Sequence, residues 1–168
     1  SERDTRELAA QLGAEAGVSD PAVLEWARVE SRGEPYFLHE LIFFAAGEGG
    51  LPTSGGVTLR DALRRRVERL SPDARRLLDV IALAGHEQPQ GVVERASHLT
   101  QPRRAQQELR AGHFVRTSGP SGSDLIDTWH DQVREVVVSA TSPEAAQAAH
   151  GELFGAWRGL ELQTSSRT

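Results

Sequence analysis

The chain contains no cysteine, no lysine, no methionine and no asparagine. Without cysteine there is no disulfide, no thiolate nucleophile and no thiolate-held metal. Without lysine, all nineteen basic residues are arginine. That removes the P-loop lysine, the Schiff-base lysine and the strand lysine of protein kinases. The Arg-for-Lys bias is read as a GC-rich coding sequence, and the missing starting methionine suggests an internal fragment, although processing also removes that residue. Aromatics are only 5% of the residues, so the core must come from Leu, Val and Ala, which suits helices. No apolar run approaches the about 20 residues that span a bilayer. No charged-then-apolar leader is present. The expectation is a soluble, cytoplasmic chain with no membrane partner.

What is present is globular in character. Of 168 residues, 38% are hydrophobic and 26% charged, with 16 Gly and 8 Pro. That length buries a core as one domain or two small ones. The net charge of −5 counts against non-specific nucleic-acid binding by the whole chain.

Helix signals are frequent. Thr5 to Ala16 places Leu8, Leu12 and its alanines on one face. Asp20-Pro21 reads as an N-cap followed by an N1 proline, and the helix it starts ends near Gly33. Pro35 begins a third helix, to about Ala46, that is apolar on nearly all sides and therefore central to its bundle. Gly47 to Val57 holds five glycines and a proline and reads as a linker. Thr58-Leu59-Arg60-Asp61 starts a helix with Leu59, Leu63, Val67 and Leu70 at helical spacing. Ser71-Pro72 starts another, closed by Gly85. Helices over 90–97 and 102–111 follow. Then come a strand over 113–116, a loop over 117–123 and a returning strand over 124–128. His130 to Ala140 and Ser142 to about Leu160 complete the helices, and the tail from Gln163 is expected to fray. Three helices, a hairpin and a helix are the order of a winged helix, with 102–111 at the recognition-helix position. The fold class expected is mainly α: a helical lid bundle (1–56), a winged helix with a small β-hairpin (57–140), and the start of a following helical region (141–168).

Three segments occur in order: Gly33-x-Pro35-Tyr36-Phe37-Leu38-x-Glu40-Leu41, Leu70-Ser71-Pro72-Asp73-Ala74-Arg75-Arg76-Leu77-Leu78, and His130-Asp131-x-Val133-Arg134-Glu135. This ordered set resembles the bacterial STAND NTPases, signal-transduction ATPases related to AAA+ proteins. The resemblance covers about Leu8 to Leu160. It implies the region that follows the P-loop core and precedes C-terminal helical repeats; some members also carry a serine/threonine kinase domain. In that family the Gly-x-Pro turn packs its proline on the adenine of the bound nucleotide. A proline suits the task, since its φ is fixed and it has no N–H to satisfy. Gly33 and Pro35 would then be cofactor-binding. The usual middle residue is Asn, whereas this chain has Glu34. His130-Asp131 is similar to the His-Asp pair of related plant and animal immune-receptor ATPases, in which the His reaches a phosphate of ADP. On residues alone, Gly33-Pro35 is also an ordinary helix break, and Asp131 also merely favours a helix start while Arg134 and Glu135 each form surface pairs.

The function implied is nucleotide-state sensing. The partner is a P-loop domain of the same polypeptide, with ATP or ADP held by that parent and none expected on the isolated chain. The chain itself is not expected to be an enzyme, although the parent would be an ATPase. Two other readings stand beside it. A winged helix also reads DNA, and Arg103, Arg104 and Arg110, with Gln106 and Gln107, would then make nucleic-acid contacts; a protein–protein adaptor needs no ligand at all. Seven arginines between Arg60 and Arg76 invite the DNA reading, but a solvated or interdomain face accounts for them. No hydrolytic or metal site is evident: His86 has no second histidine four residues on, and Ser121 lacks the glycine of a nucleophile elbow at 123. His39 sits beside Glu40 on the third helix and faces either nucleotide or solvent.

Overall fold

The computed structural model describes residues 2–48, 57–119 and 124–165. The expected linker lies mostly outside these residues, as do the loop tip at 120–123 and the end of the tail at 166–168. The chain divides into two compact units, 1–66 and 67–168. The described residues form nine helices and one small antiparallel sheet, so the mainly α expectation holds. None of these helices is long and apolar enough to cross a membrane.

The first unit contains α1 (Glu2–Ala16), α2 (Pro21–Glu30), α3 (Pro35–Glu48) and most of α4 (Leu59–Glu68). Asp20 caps α2 by accepting the Ala22 N–H at 2.9 Å, with Pro21 at the first helical position. Thr58 and Asp61 cap α4 reciprocally: Thr58 donates its N–H and hydroxyl to Asp61 Oδ2, and the Asp61 N–H returns to Thr58 Oγ1. Those bonds hold the Asp61 carboxyl below its usual range. Helices α1 and α2 pack on α3 and on each other. On α3, Leu38, Leu41, Ile42, Phe44 and Ala45 are all buried, as expected of a helix apolar on nearly all sides. Ala9, Leu12, Ala27, Val57 and Ala62 complete the cluster.

In the second unit, α5 (Pro72–Leu83) packs against α6 (Gln90–Ser97), α7 (Pro102–Ala111), α8 (Asp131–Ser139), α9 (Pro143–Ser165) and the middle strand of the sheet. Ser71 caps α5 through its hydroxyl, which accepts the Ala74 N–H. The same serine donates its N–H and its hydroxyl to the Glu108 carboxylate at 2.9 and 2.6 Å. The cap therefore ties α5 to α7 and lowers the Glu108 pKa.

The sheet has order β1-β3-β2, where β1 is Gln88–Pro89, β2 Val115–Ser118 and β3 Leu125–Thr128. Strand β1 has no sequence signal; it is two residues long, one of them proline, and exists through pairing with Leu125 and Ile126. Strand β2 starts two residues later than the sequence suggests. His113 takes a left-handed φ of 55° and Phe114 donates its N–H to Leu109 O, so the chain is still closing α7 there. Gly112 permits this: a Cβ at 112 would lie 2.8 Å from the Phe114 ring.

Helix α9 runs to Ser165, beyond the expected end at Leu160. It packs along α5 and α6 with Leu153 and Ala156 buried. Trp157 donates its indole N–H to the buried Gln88 at 2.8 Å, and His150 meets Leu83 O at 3.0 Å.

Leu77 is fully buried on α5. Leu77→Ala is expected to destabilise the second unit by about 2–5 kcal/mol. Chemical denaturation followed by circular dichroism checks this; a loss near that of an exposed substitution would contradict the central place of α5.

Candidate functional site

The turn carrying Gly33 and Pro35 is built by the end of α2. Ser31 is the C-cap and is buried; its hydroxyl donates to Arg28 O at 3.1 Å and accepts the Gly33 N–H at 3.4 Å. Arg32 and Gly33 both adopt left-handed conformations, with φ of 51° and 82°. The nearest atom to a Cβ at Gly33 would be Thr5 Oγ1, at 3.8 Å. Glycine is therefore needed at 33 for its backbone angle, not for space. The Glu34 N–H donates to Ser31 O, and α3 then starts on Pro35. Gly33, Glu34 and Pro35 are all exposed. A shallow depression beside the turn is lined by Gly33, Arg32, Val29, Arg28, Thr5 and Glu2. Pro35 is not part of that lining. Arg28 is engaged by Glu25 at 2.6 Å and by Glu2 at 3.5 Å.

One helical turn further on, α3 carries a polar cluster inside an apolar helix. Glu40 is fully buried and forms an ion pair with Arg66 of α4. His39 Nδ1 lies 3.3 Å from Glu40 Oε1, and the Phe43 ring stacks on the His39 imidazole at 4.3 Å. His39 therefore faces Glu40 with a half-buried ring. Burial lowers the His39 pKa, Arg66 lowers it further, and Glu15 opposes them. Burial also lowers the Arg66 pKa, with Tyr36 acting the other way. Burial pushes Tyr36 up to about 12, against the pull of Arg66. Arg66 is a residue that sequence reasoning placed on a solvated or interdomain face. A signal existed: position 66 lies seven residues after Leu59 and three after Leu63, which puts it at the edge of the apolar stripe.

In the second unit, His130 is the N-cap of α8. Its backbone is extended, and Nδ1 accepts the Gln132 N–H at 3.2 Å. An acceptor at Nδ1 places the proton of the neutral ring on Nε2. The ring is half-buried, while Asp131 is exposed at the first helical position. Arg134 turns inward instead of forming a surface pair. Its guanidinium donates to Asp127 Oδ1 at 2.6 Å and to Thr128 Oγ1 at 3.1 Å. Asp127 also accepts the Thr128 N–H, and Arg116 lies 3.7 Å away. This nearly buried pair locks α8 to β3, just after the segment that carries His130.

The α7 residues separate cleanly. Arg103, Arg104 and Gln107 are exposed on its first two turns, and Arg110, also exposed, donates to Thr117 Oγ1 at 2.8 Å. Gln106 is buried and bonds Glu94 at 2.9 Å, so it does not belong with the outward-facing set. Gly33 and Pro35 belong to one unit, and His130, Asp131, Arg103, Arg104 and Arg110 to the other. Comparison with family models, with curated proteins and with solved structures finds no match to this chain.

Two measurements follow from this geometry. Tyr36 is the chain's single tyrosine, so ultraviolet titration reads it alone. Its ionisation is expected at about 12; a midpoint at the ordinary value for the side chain would mean that the ring is solvated. His130→Ala removes a helix cap and is expected to cost about 1 kcal/mol, whereas His130→Asn retains the cap and costs a few tenths at most. Equal losses in the two variants, measured by thermal unfolding, would rule out the capping role.

Proposed function

We propose that this chain is the nucleotide-sensing region of a multidomain signalling ATPase, a helical lid followed by a winged helix. The observation that carries this reading is the state of His130. Its Nδ1 accepts the Gln132 N–H and caps α8, so the neutral ring carries its proton on Nε2, at a helix N-terminus. Backbone N–H groups and the helix dipole favour an anion there. That is the chemistry needed to hold a nucleotide phosphate by a contact that depends on nucleotide state.

Supporting features lie in both units. The left-handed Gly33 delivers Pro35, exposed and rigid, at the start of α3. A proline ring in that setting offers a flat apolar face to a base. The order α5, β1, α6, α7, β2, β3 with sheet order β1-β3-β2 is compatible with a winged helix in which α7 is the third helix. The nucleotide is held by a P-loop domain of the parent polypeptide, since the chain has no lysine. Each unit adds one contact, and differential contacts in the ADP and ATP states drive the switch.

A DNA-binding winged helix is the second reading. The outward Arg103 and Arg104 on α7 favour it, and the −5 charge opposes it. Duplex DNA titrated into the chain is expected to show no salt-dependent association. A salt-dependent complex weakened by replacing Arg103 and Arg104 would put the DNA reading first. In a polypeptide carrying this region with its P-loop domain, His130→Ala is expected to speed ADP dissociation about tenfold or more, the loss of one charge-assisted bond. His130→Asn, which keeps the cap, is expected to release ADP as fast as His130→Ala. An unchanged ADP off-rate in both variants would overturn the proposal.

A further inference from the structure

Helix α9 buries one face, through Leu153 and Ala156, and leaves the opposite face bare. On that outer face Phe154 is 65% exposed. Glu144, Gly151, Gly155 and Arg158 are also exposed there, and Ala148 is exposed at its edge, where it also lines a depression against α5 and α6. Two glycines inside an exposed helix are costly, roughly 0.5–1 kcal/mol each relative to alanine. Nothing inside the unit requires them: a Cβ at Gly151 or Gly155 would meet no atom within 4 Å. Gly159 is different, because a Cβ there would lie 2.6 Å from the Arg95 guanidinium. Gly159 is explained by packing within the chain, and Gly151 and Gly155 are not.

Charge supplies the second observation. Glu144 and Arg158 lie seven residues before and seven after Gly151. At 3.6 residues per turn this places both on the same stripe as Gly151, about two turns to either side. The face is thus self-complementary about Gly151. An antiparallel copy of α9, related by a two-fold axis at Gly151, sets each Glu144 against the other copy's Arg158. Phe154 then covers the other copy's Gly151, and Gly155 faces its Ala148. Small residues at the crossing point let two helices approach to the short end of their usual 8–10 Å separation. Each contact is made twice, as an isologous interface requires.

We propose that this face of α9 is a homodimer interface, formed by antiparallel pairing of two copies of the chain centred on Gly151. The partner it fits is therefore a second copy. One helix pair is small for a specific interface, and two chains of net charge −5 repel at long range. The association is accordingly weak, with a dissociation constant in the range of about 10–100 μM at physiological salt. This inference stands apart from the nucleotide reading and would hold if that reading failed.

Sedimentation velocity of the 168-residue chain, over micromolar to near-millimolar concentration, is the test. Reversible monomer–dimer exchange is expected. Glu144→Arg sets Arg against Arg158, and Arg158→Glu sets Glu against Glu144, so each variant alone is expected to associate about tenfold or more weakly. An equimolar mixture of the two is expected to recover association, since both cross-pairs are then opposite in sign. Gly151→Leu has room in the monomer and is expected to keep the helical circular dichroism while losing the dimer. A chain that stays monomeric throughout overturns the proposal. So does a dimer that tolerates Gly151→Leu, or one whose single charge variants behave no differently mixed than alone.

Discussion

The second unit depends on the burial of α5. Seven of its twelve residues are buried, from Ala74 to Leu83, and four helices and the middle strand pack against it. What remains of its polar surface is one narrow side carrying Asp73, Arg75, Arg76 and Asp79, and its polar ties to neighbouring elements lie at its ends and on that edge. Ser71 supplies the first by holding both its own helix start and the Glu108 carboxylate. Arg76 supplies another by donating to Ser97 O at 2.5 Å. The neighbouring helices take their places from the shape of α5 and from these few polar ties.

The first unit solves a similar problem with a buried charge. Helix α3 is apolar on nearly all sides, yet it places Glu40 where no water reaches. Arg66 of α4 neutralises that carboxylate. Desolvating both groups offsets much of their attraction, so the pair is a poor source of stability. Its effect is on arrangement, because any alternative placement of α4 would strand a charge in the core. The same cluster sets the titration of Tyr36 and His39, whose shifts arise chiefly from burial.

The two candidate nucleotide contacts share one physical basis: each sits at a helix start. Pro35 opens α3 because it needs no N–H partner there, and His130 caps α8 because its ring nitrogen accepts the Gln132 N–H. Residues at helix starts are fixed by the backbone while their outer edges stay accessible. That combination suits a sensing contact, which must be well placed yet able to let go. The Asp127–Arg134 pair adds rigidity by anchoring α8 directly to β3.

Helix starts and the apolar α3 were legible in the sequence, since caps, prolines and periodicity act within a few residues. Asp20-Pro21, Thr58 with Asp61, and Ser71-Pro72 all begin helices where the residues say they should. Gly33 and His130 were likewise visible as local motifs. What tertiary structure alone decided is whatever depends on a distant partner. Strand β1 has no pattern of its own and forms through pairing with Leu125 and Ile126. Arg134 turns inward because Asp127 on β3 is there to receive it, and Gln106 is buried because Glu94 is. Arg66 read as one arginine among seven until α3 placed Glu40 beside it. Local backbone chemistry is written in adjacent residues, whereas the partner of a long polar side chain is set by packing across the fold.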